Sequence, residues 1–168
     1  FRSVSGRNEA RKQMKKAGLE GLVVIGGNGS LTGAMALSDP KEAGPEPPRV
    51  IGLPASIDND IGYTRLSIGV DTAMNTIVEA CDRISDTAEA HDRVFFIEVM
   101  GRDCGYLAMA TSVAAAADVV LFRESGKSNE DLVNEVTEAV IDINGRRPYR
   151  RIIVIKSEGV EISTLALK

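Results

Sequence analysis

GLVVIGGNGSLTGA, residues 21–34, decides the fold. It opens on a short apolar run centred on Val and Ile, the pattern of a strand buried on both faces of a parallel sheet. Gly26, Gly27 and Gly29 close the run, and a helix is expected from about Leu31 to Ser38. Upstream, Asn8 to Gly18 reads as the end of a charged surface helix stopped by glycine. Helix, strand, glycines and helix in succession are an α/β rhythm.

The rest of the chain keeps it. DPKEAGPEPP, residues 39–48, carries enough Pro, Gly and charge to predict a solvated loop, and VIGLPAS, 50–56, is a second strand. From Val70 to His91 the positions Val70, Ala73, Met74, Ile77, Cys81 and Ile84 recur at three and four, the spacing of a helix facing a core. RVFFIEVM, 93–100, is a strand apolar on both faces; Gly105 to Ala117 is a small-residue helix suited to close packing on a sheet, and VVLF, 119–122, a further buried strand. Ser128 with Asp131 forms a capping box for a helix to about Asn144, ahead of the strand RIIVI, 151–155. The expected class is α/β, with Rossmann-like three-layer parallel sheets.

Of the 168 residues 43% are hydrophobic and 26% charged, enough for one core or for parts of two. A net charge of -4 excludes a whole-chain basic field, so neither nucleic acid nor an anionic membrane is an expected partner, while a local pocket for a small phosphate stays compatible. Cys81 and Cys104 show no CxxC spacing and fit a reducing cytoplasm. No stretch reads as a membrane span or signal peptide, and the chain opens in mid-element, as a fragment would.

Three turns carry polar residues where open α/β sheets bind ligands, beyond the carboxyl ends of strands. The glycines of 26–29 either expose backbone N–H groups and a helix N-terminus to phosphate or serve a tight turn needing positive φ. Gly27, Gly29 and Gly33 are spaced one residue too far for the dinucleotide fingerprint, and no GK[ST] follows. SGKS, 125–128, has a Walker tail, but Leu121 stands where the first glycine belongs, so it reads as a surface loop. In PASIDND, Asp58 and Asp60 are two residues apart and share a side of an extended segment. They are either a metal-and-base pair for phosphoryl transfer or an Asx-rich turn. EVMGRDCGY repeats the arrangement with Arg102, a phosphate fork or a surface ion-pair partner; Arg93 and His91 are equally open.

GGNGSLTGA, SIDNDI, GVDTAMNTIVEACDRISDTAEAH and EVMGRDCGYLA, in this order and spacing, resemble the phosphofructokinase family. The resemblance covers nearly all of the chain but only the middle of a family member. It implies parts of two Rossmann-like domains, an ATP domain over residues 1 to about 69 and a sugar-phosphate domain over 70–168. The implied reaction is ATP-dependent transfer to fructose 6-phosphate in glycolysis, with ATP and magnesium. It also implies that Asp58 is the general base and that Asp60, with Asn28, holds magnesium. Gly27, Asn28, Gly29, Ser30 and Gly33 fall where ATP phosphates bind. Ser56, Met100, Gly101, Arg102 and Glu158 fall at the sugar phosphate, with Arg102 also on the transferring group. Arg93 matches an arginine lent across a subunit interface to the 6-phosphate, which implies a homo-oligomer, usually a tetramer.

Three departures stand out. Asn28 replaces the aspartate of the family's GGDGS; Ser85 replaces an effector-binding arginine of bacterial members; and after Gly159 the tail VEISTLALK leaves the family pattern. The nearest alternative is a pyrophosphate-dependent member, which usually carries aspartate where this chain has Gly29. A non-catalytic, sugar-phosphate-binding regulatory half is another. Lipid and NAD kinases share a GGDG-type loop but lack SIDND and MGR in this arrangement.

Overall fold

The computed structural model of the chain describes residues 3–91, 93–146 and 151–162, and the tail beyond Ile162 lies outside them. It divides into two compact units: Phe1–Ser56 with Ile61–Ile68, and Ile57–Asp60 with Gly69–Lys168.

In the first unit, α1 (Val4–Lys16) contains the expected charged helix end and begins after Ser3, which caps it by accepting from Gly6 N–H at 3.2 Å. Strand β1 (Gly21–Gly26) pairs in parallel with β2 (Arg49–Pro54), Gly21 opposite Arg49 through Gly26 opposite Pro54. Helix α2 (Asn28–Leu37) returns over both strands and buries Ala34 and Leu37. A Cβ on Gly52 would stand 2.8 Å from Leu31 Cδ2, so glycine there lets the helix settle on the sheet. One turn of helix, α3 (Pro40–Ala43), occupies part of the expected loop. Asp39 accepts from Lys41 N–H and Pro40 sits at the first helical position, the cap-and-proline start of a helix. Arg7, largely buried, donates from Nη2 and Nε to Glu42 at 2.6 and 2.8 Å, pinning α3 to α1 and holding the Glu42 carboxyl below its ordinary range. The opposite face of β1 and β2 exposes Val23, Ile25, Ile51 and Leu53 by 40–62%. The two-sided apolar pattern therefore meets one covering layer among the described residues of this unit.

The second unit is three-layered. Strands β3 (Val94–Val99), β4 (Val119–Leu121) and β5 (Ile152–Ser157) form a parallel sheet in the order β3-β5-β4. On one face Ile153 and Ile155 pack with Cys81 of α4 (Val70–His91) and Ala108 of α5 (Tyr106–Ala114). On the other, Ile152 and Val154 meet Leu132 and Val136 of α6 (Asn129–Arg146). Helix α4 has the bounds its periodicity predicts, and the capping box forms: Asp131 N–H donates to Ser128 Oγ and Ser128 N–H to Asp131 Oδ2, at 3.2 and 3.1 Å. Strand β5 runs two residues past the apolar RIIVI pattern. Lys156 is buried there because its Nζ reaches Glu98 Oε2, its register partner on β3, at 2.5 Å. Ser85 accepts from Arg151 Nη1.

Cys81 is 1% exposed, and burial pushes its thiol up; Cys104 is half-buried. In native protein a thiol reagent is expected to modify Cys104 and spare Cys81 until denaturant is added. Mass mapping of the labelled peptides checks this, and early labelling of Cys81 would contradict the packing of α4.

Candidate active site

The first unit places its polar turn where a strand passes into a helix through one residue. Gly27 is the N-cap of α2, at φ -85° and ψ -168°. The helix therefore begins at Asn28, three residues before the sequence suggests, and Asn28, Gly29 and Ser30 form its first turn. The first turn of an α-helix directs its backbone N–H groups out of the helix end, and the positive end of the helix dipole adds to their pull on an anion. All three are exposed, and Gly33 lies one turn further on. None of Gly26, Gly27 and Gly29 adopts a positive φ, so the tight-turn explanation fails. Gly26 has a packing reason instead: its Cβ would stand 2.6 Å from Ser30 Cβ. Gly29 has none, since a Cβ there meets nothing within 4 Å. Ser56 is drawn in beside Gly27, whose Cβ would lie 3.4 Å from Ser56 Cβ, and its own N–H donates to the buried Ser67 Oγ at 2.9 Å.

Within the second unit two turns stand together. The 57–60 turn buries Asp58 to 9% exposure, holds Asn59 at φ 53° and leaves Asp60 exposed. Against it lies the turn after β3, with Cys104 Sγ 4.0 Å from Asn59 O. Gly101 takes φ 143° and Arg102 φ 52°, so the chain reverses through two successive positive-φ residues and leaves Met100 and Arg102 exposed. A Cβ on Gly101 would come within 2.5 Å of Cys104 O, so both space and backbone demand glycine.

Carboxylates brace this turn from neighbouring strands. Glu158, just past β5, accepts at Oε1 from Gly101 N–H and Arg102 N–H at 3.1 and 2.5 Å. Glu124, past β4, accepts from Gly105 N–H at 2.7 Å at the start of α5, and Arg123 pairs with Asp103. Sequence reasoning missed Glu124 and the amide contacts of Glu158; the glycine of KSEG was the available signal, because a Cβ on Gly159 would collide with the Arg102 carbonyl oxygen. Arg93 is exposed at the opposite end of β3, about 20 Å of strand from Met100, and does not join this cluster within the chain.

Among the described residues no three or more His, Cys, Asp or Glu side chains gather as a metal cage. Magnesium does not require one, since it is commonly held by one or two carboxylates together with substrate phosphates and water. Asp60 in the second unit and Asn28 in the first are each an exposed oxygen donor of the kind that chemistry uses. No helix among the described residues is long and apolar enough to cross a membrane.

These features define an α/β chain of parallel sheets whose polar turns lie beyond the carboxyl ends of its strands. The chain belongs to the phosphofructokinase family, whose family model matches residues 1–167. It is 44% identical over 161 residues to an ATP-dependent 6-phosphofructokinase of Natranaerobius thermophilus, covering 96% of this chain and 47% of that protein. To the enzyme of the same name from Tolumonas auensis it is 44% identical over 166 residues, covering 99% and 49%. A solved phosphofructokinase structure from Saccharomyces cerevisiae matches with a TM-score of 0.85 at 33% identity, over 95% of this chain and 24% of that one. A pyrophosphate-dependent phosphofructokinase from Marinobacter aquaeolei shares the fold at a TM-score of 0.76 and 24% identity, over 95% and 42%. The chain spans about half the length of the curated relatives it matches.

Proposed function

We propose that this chain carries phosphoryl-transfer machinery of an ATP-dependent 6-phosphofructokinase, which moves the terminal phosphoryl group of ATP to the 1-hydroxyl of fructose 6-phosphate. The observation that carries the reading is the company Asp58 keeps in the second unit. A largely buried carboxylate and an exposed guanidinium are set on two turns in mutual contact, beyond strand ends. In this reading Asp58 accepts the hydroxyl proton as the new O–P bond forms and the bond to ADP breaks. Arg102 grips the transferring group with its forked donors, and Met100 and Gly101 stand with it on the sugar-phosphate side of the second unit, their turn braced by Glu158; Ser56, in the first unit, is a further sugar-phosphate contact by family resemblance. In the first unit the N–H groups of Asn28, Gly29 and Ser30 meet the nucleotide phosphates, near Gly27 and Gly33. Magnesium, when bound, would offset phosphate charge; Asp60 supplies an exposed carboxylate for it in the second unit, and Asn28 an exposed amide oxygen in the first. Arg93, remote from Arg102 in its own chain, serves the 6-phosphate of a neighbouring subunit, so the assembly is a homo-oligomer, a tetramer by family resemblance, working in the cytoplasm.

A coupled assay on the full-length protein tests the reading with ATP and pyrophosphate as donors. Turnover with ATP and poor turnover with pyrophosphate are expected; the reverse would overturn the donor assignment. Asn28, neutral where the family carries a charge, favours a second reading, a regulatory half that binds sugar phosphate without catalysis. Intact fructose 6-phosphate binding by calorimetry with no turnover on either donor would select it.

A further inference from the structure

Two adjacent backbone N–H groups, those of Gly101 and Arg102, converge on one oxygen of Glu158. Successive amides aimed at one point form a small anion nest, and here the chain's own carboxylate fills it. The conformation needs such support. Arg102 at φ 52° occupies a region unfavourable to a non-glycine residue, and it follows Gly101 at φ 143°. Inside the turn, Cys104 N–H donates to Gly101 O at 2.8 Å. Glu158 is itself firmly placed, because its N–H donates to Val99 O at 2.9 Å and extends the β3–β5 ladder past Ser157. Gly159 then leaves room for the Arg102 carbonyl, so the Arg102 backbone is held at its N–H by residue 158 and shaped at its carbonyl by residue 159.

We propose that Glu158 is a positioning residue for Arg102: its carboxylate holds the turn that presents the guanidinium, so its effect on phosphoryl transfer runs through that turn. This rests on the role given to Arg102 above. It differs from a contact to sugar hydroxyls, which would act on substrate affinity and owe nothing to Arg102. The two separate in kinetics. A positioning residue lost costs kcat, since misplacing a reacting group by an ångström can cost about 10²-fold.

The experiment is a double-mutant cycle in the full-length protein, with Glu158→Ala, Arg102→Ala and the pair, reading kcat and the KM for fructose 6-phosphate. Glu158→Ala is expected to lower kcat by about 10–10²-fold, and the double variant to be about as slow as Arg102→Ala alone. Glu158→Gln keeps an oxygen at the same reach and is expected to recover most of that loss, whereas Glu158→Asp keeps the charge, falls one methylene short and is not. These two variants, with melting temperatures near the parent's, separate positioning from a folding defect if Glu158→Ala proves unstable. A higher KM with unchanged kcat in Glu158→Ala, or losses that add across the cycle, would overturn the positioning role while leaving the kinase reading intact. Parental kinetics in Arg102→Ala would overturn the role of Arg102 and the inference with it.

Discussion

Asp58→Asn in the full-length protein is expected to lower kcat by about 10²–10⁴-fold, the usual contribution of a general base, while the KM for fructose 6-phosphate changes far less. The amide has the shape of the carboxylate and still offers an oxygen, but it cannot take up the hydroxyl proton at neutral pH. Asp58 is only 9% exposed, so Asp58→Ala would add the cost of emptying a packed turn and would confuse chemistry with stability. The asparagine variant is the cleaner probe. It should melt near the parent and bind fructose 6-phosphate with similar affinity by calorimetry. Near-parental kcat would remove Asp58 from the chemistry, and a collapse of melting temperature and rate together would return it to the Asx-turn reading.

How well the sequence speaks for each element depends on whether periodicity or contact determines it. Helix α4 was legible end to end because 22 residues with an apolar stripe leave few alternatives. Strand β5 was legible only to Ile155: Lys156 and Ser157 look like the start of a loop, and the register partner that makes the buried lysine tolerable is Glu98, 58 residues away. Helix α3 was hidden inside a composition that says loop, although Asp39 and Pro40 held the cap signal. At the site, the motifs single out three turns but are silent on how those turns are held. The carboxylate of Glu158 reads equally well as a ligand or a brace, and the two amides it accepts from lie 56 and 57 residues earlier. No local pattern reports such a contact.

The glycine turn shows the same limit and leads to the second large effect. Gly26, Gly27 and Gly29 look alike in sequence, yet the structure separates them: a Cβ on Gly26 would collide with Ser30, one on Gly27 would press on Ser56, and one on Gly29 would face open space, with no positive φ at any of the three. The fold therefore tolerates a side chain at Gly29, and Gly29→Asp should fold normally. An aspartate in the first turn of α2 would even favour the helix dipole, by about 0.3–1 kcal/mol. Against a nucleotide the sign reverses. A carboxylate about 4 Å from a phosphate charge repels it by about 1 kcal/mol in water and about 4 kcal/mol near a protein surface. Because every 1.4 kcal/mol is about tenfold in affinity, the variant is expected to lose about 10²–10³-fold in its use of ATP. Its melting temperature should hold or rise slightly, and fructose 6-phosphate binding should persist, since the second unit is untouched. Steady-state kinetics with ATP, beside thermal melting and calorimetry with the sugar phosphate, decide the matter. A KM for ATP within a few-fold of the parent's would mean that the start of α2 does not meet the nucleotide phosphates, and the donor half of the proposed mechanism would have to move elsewhere.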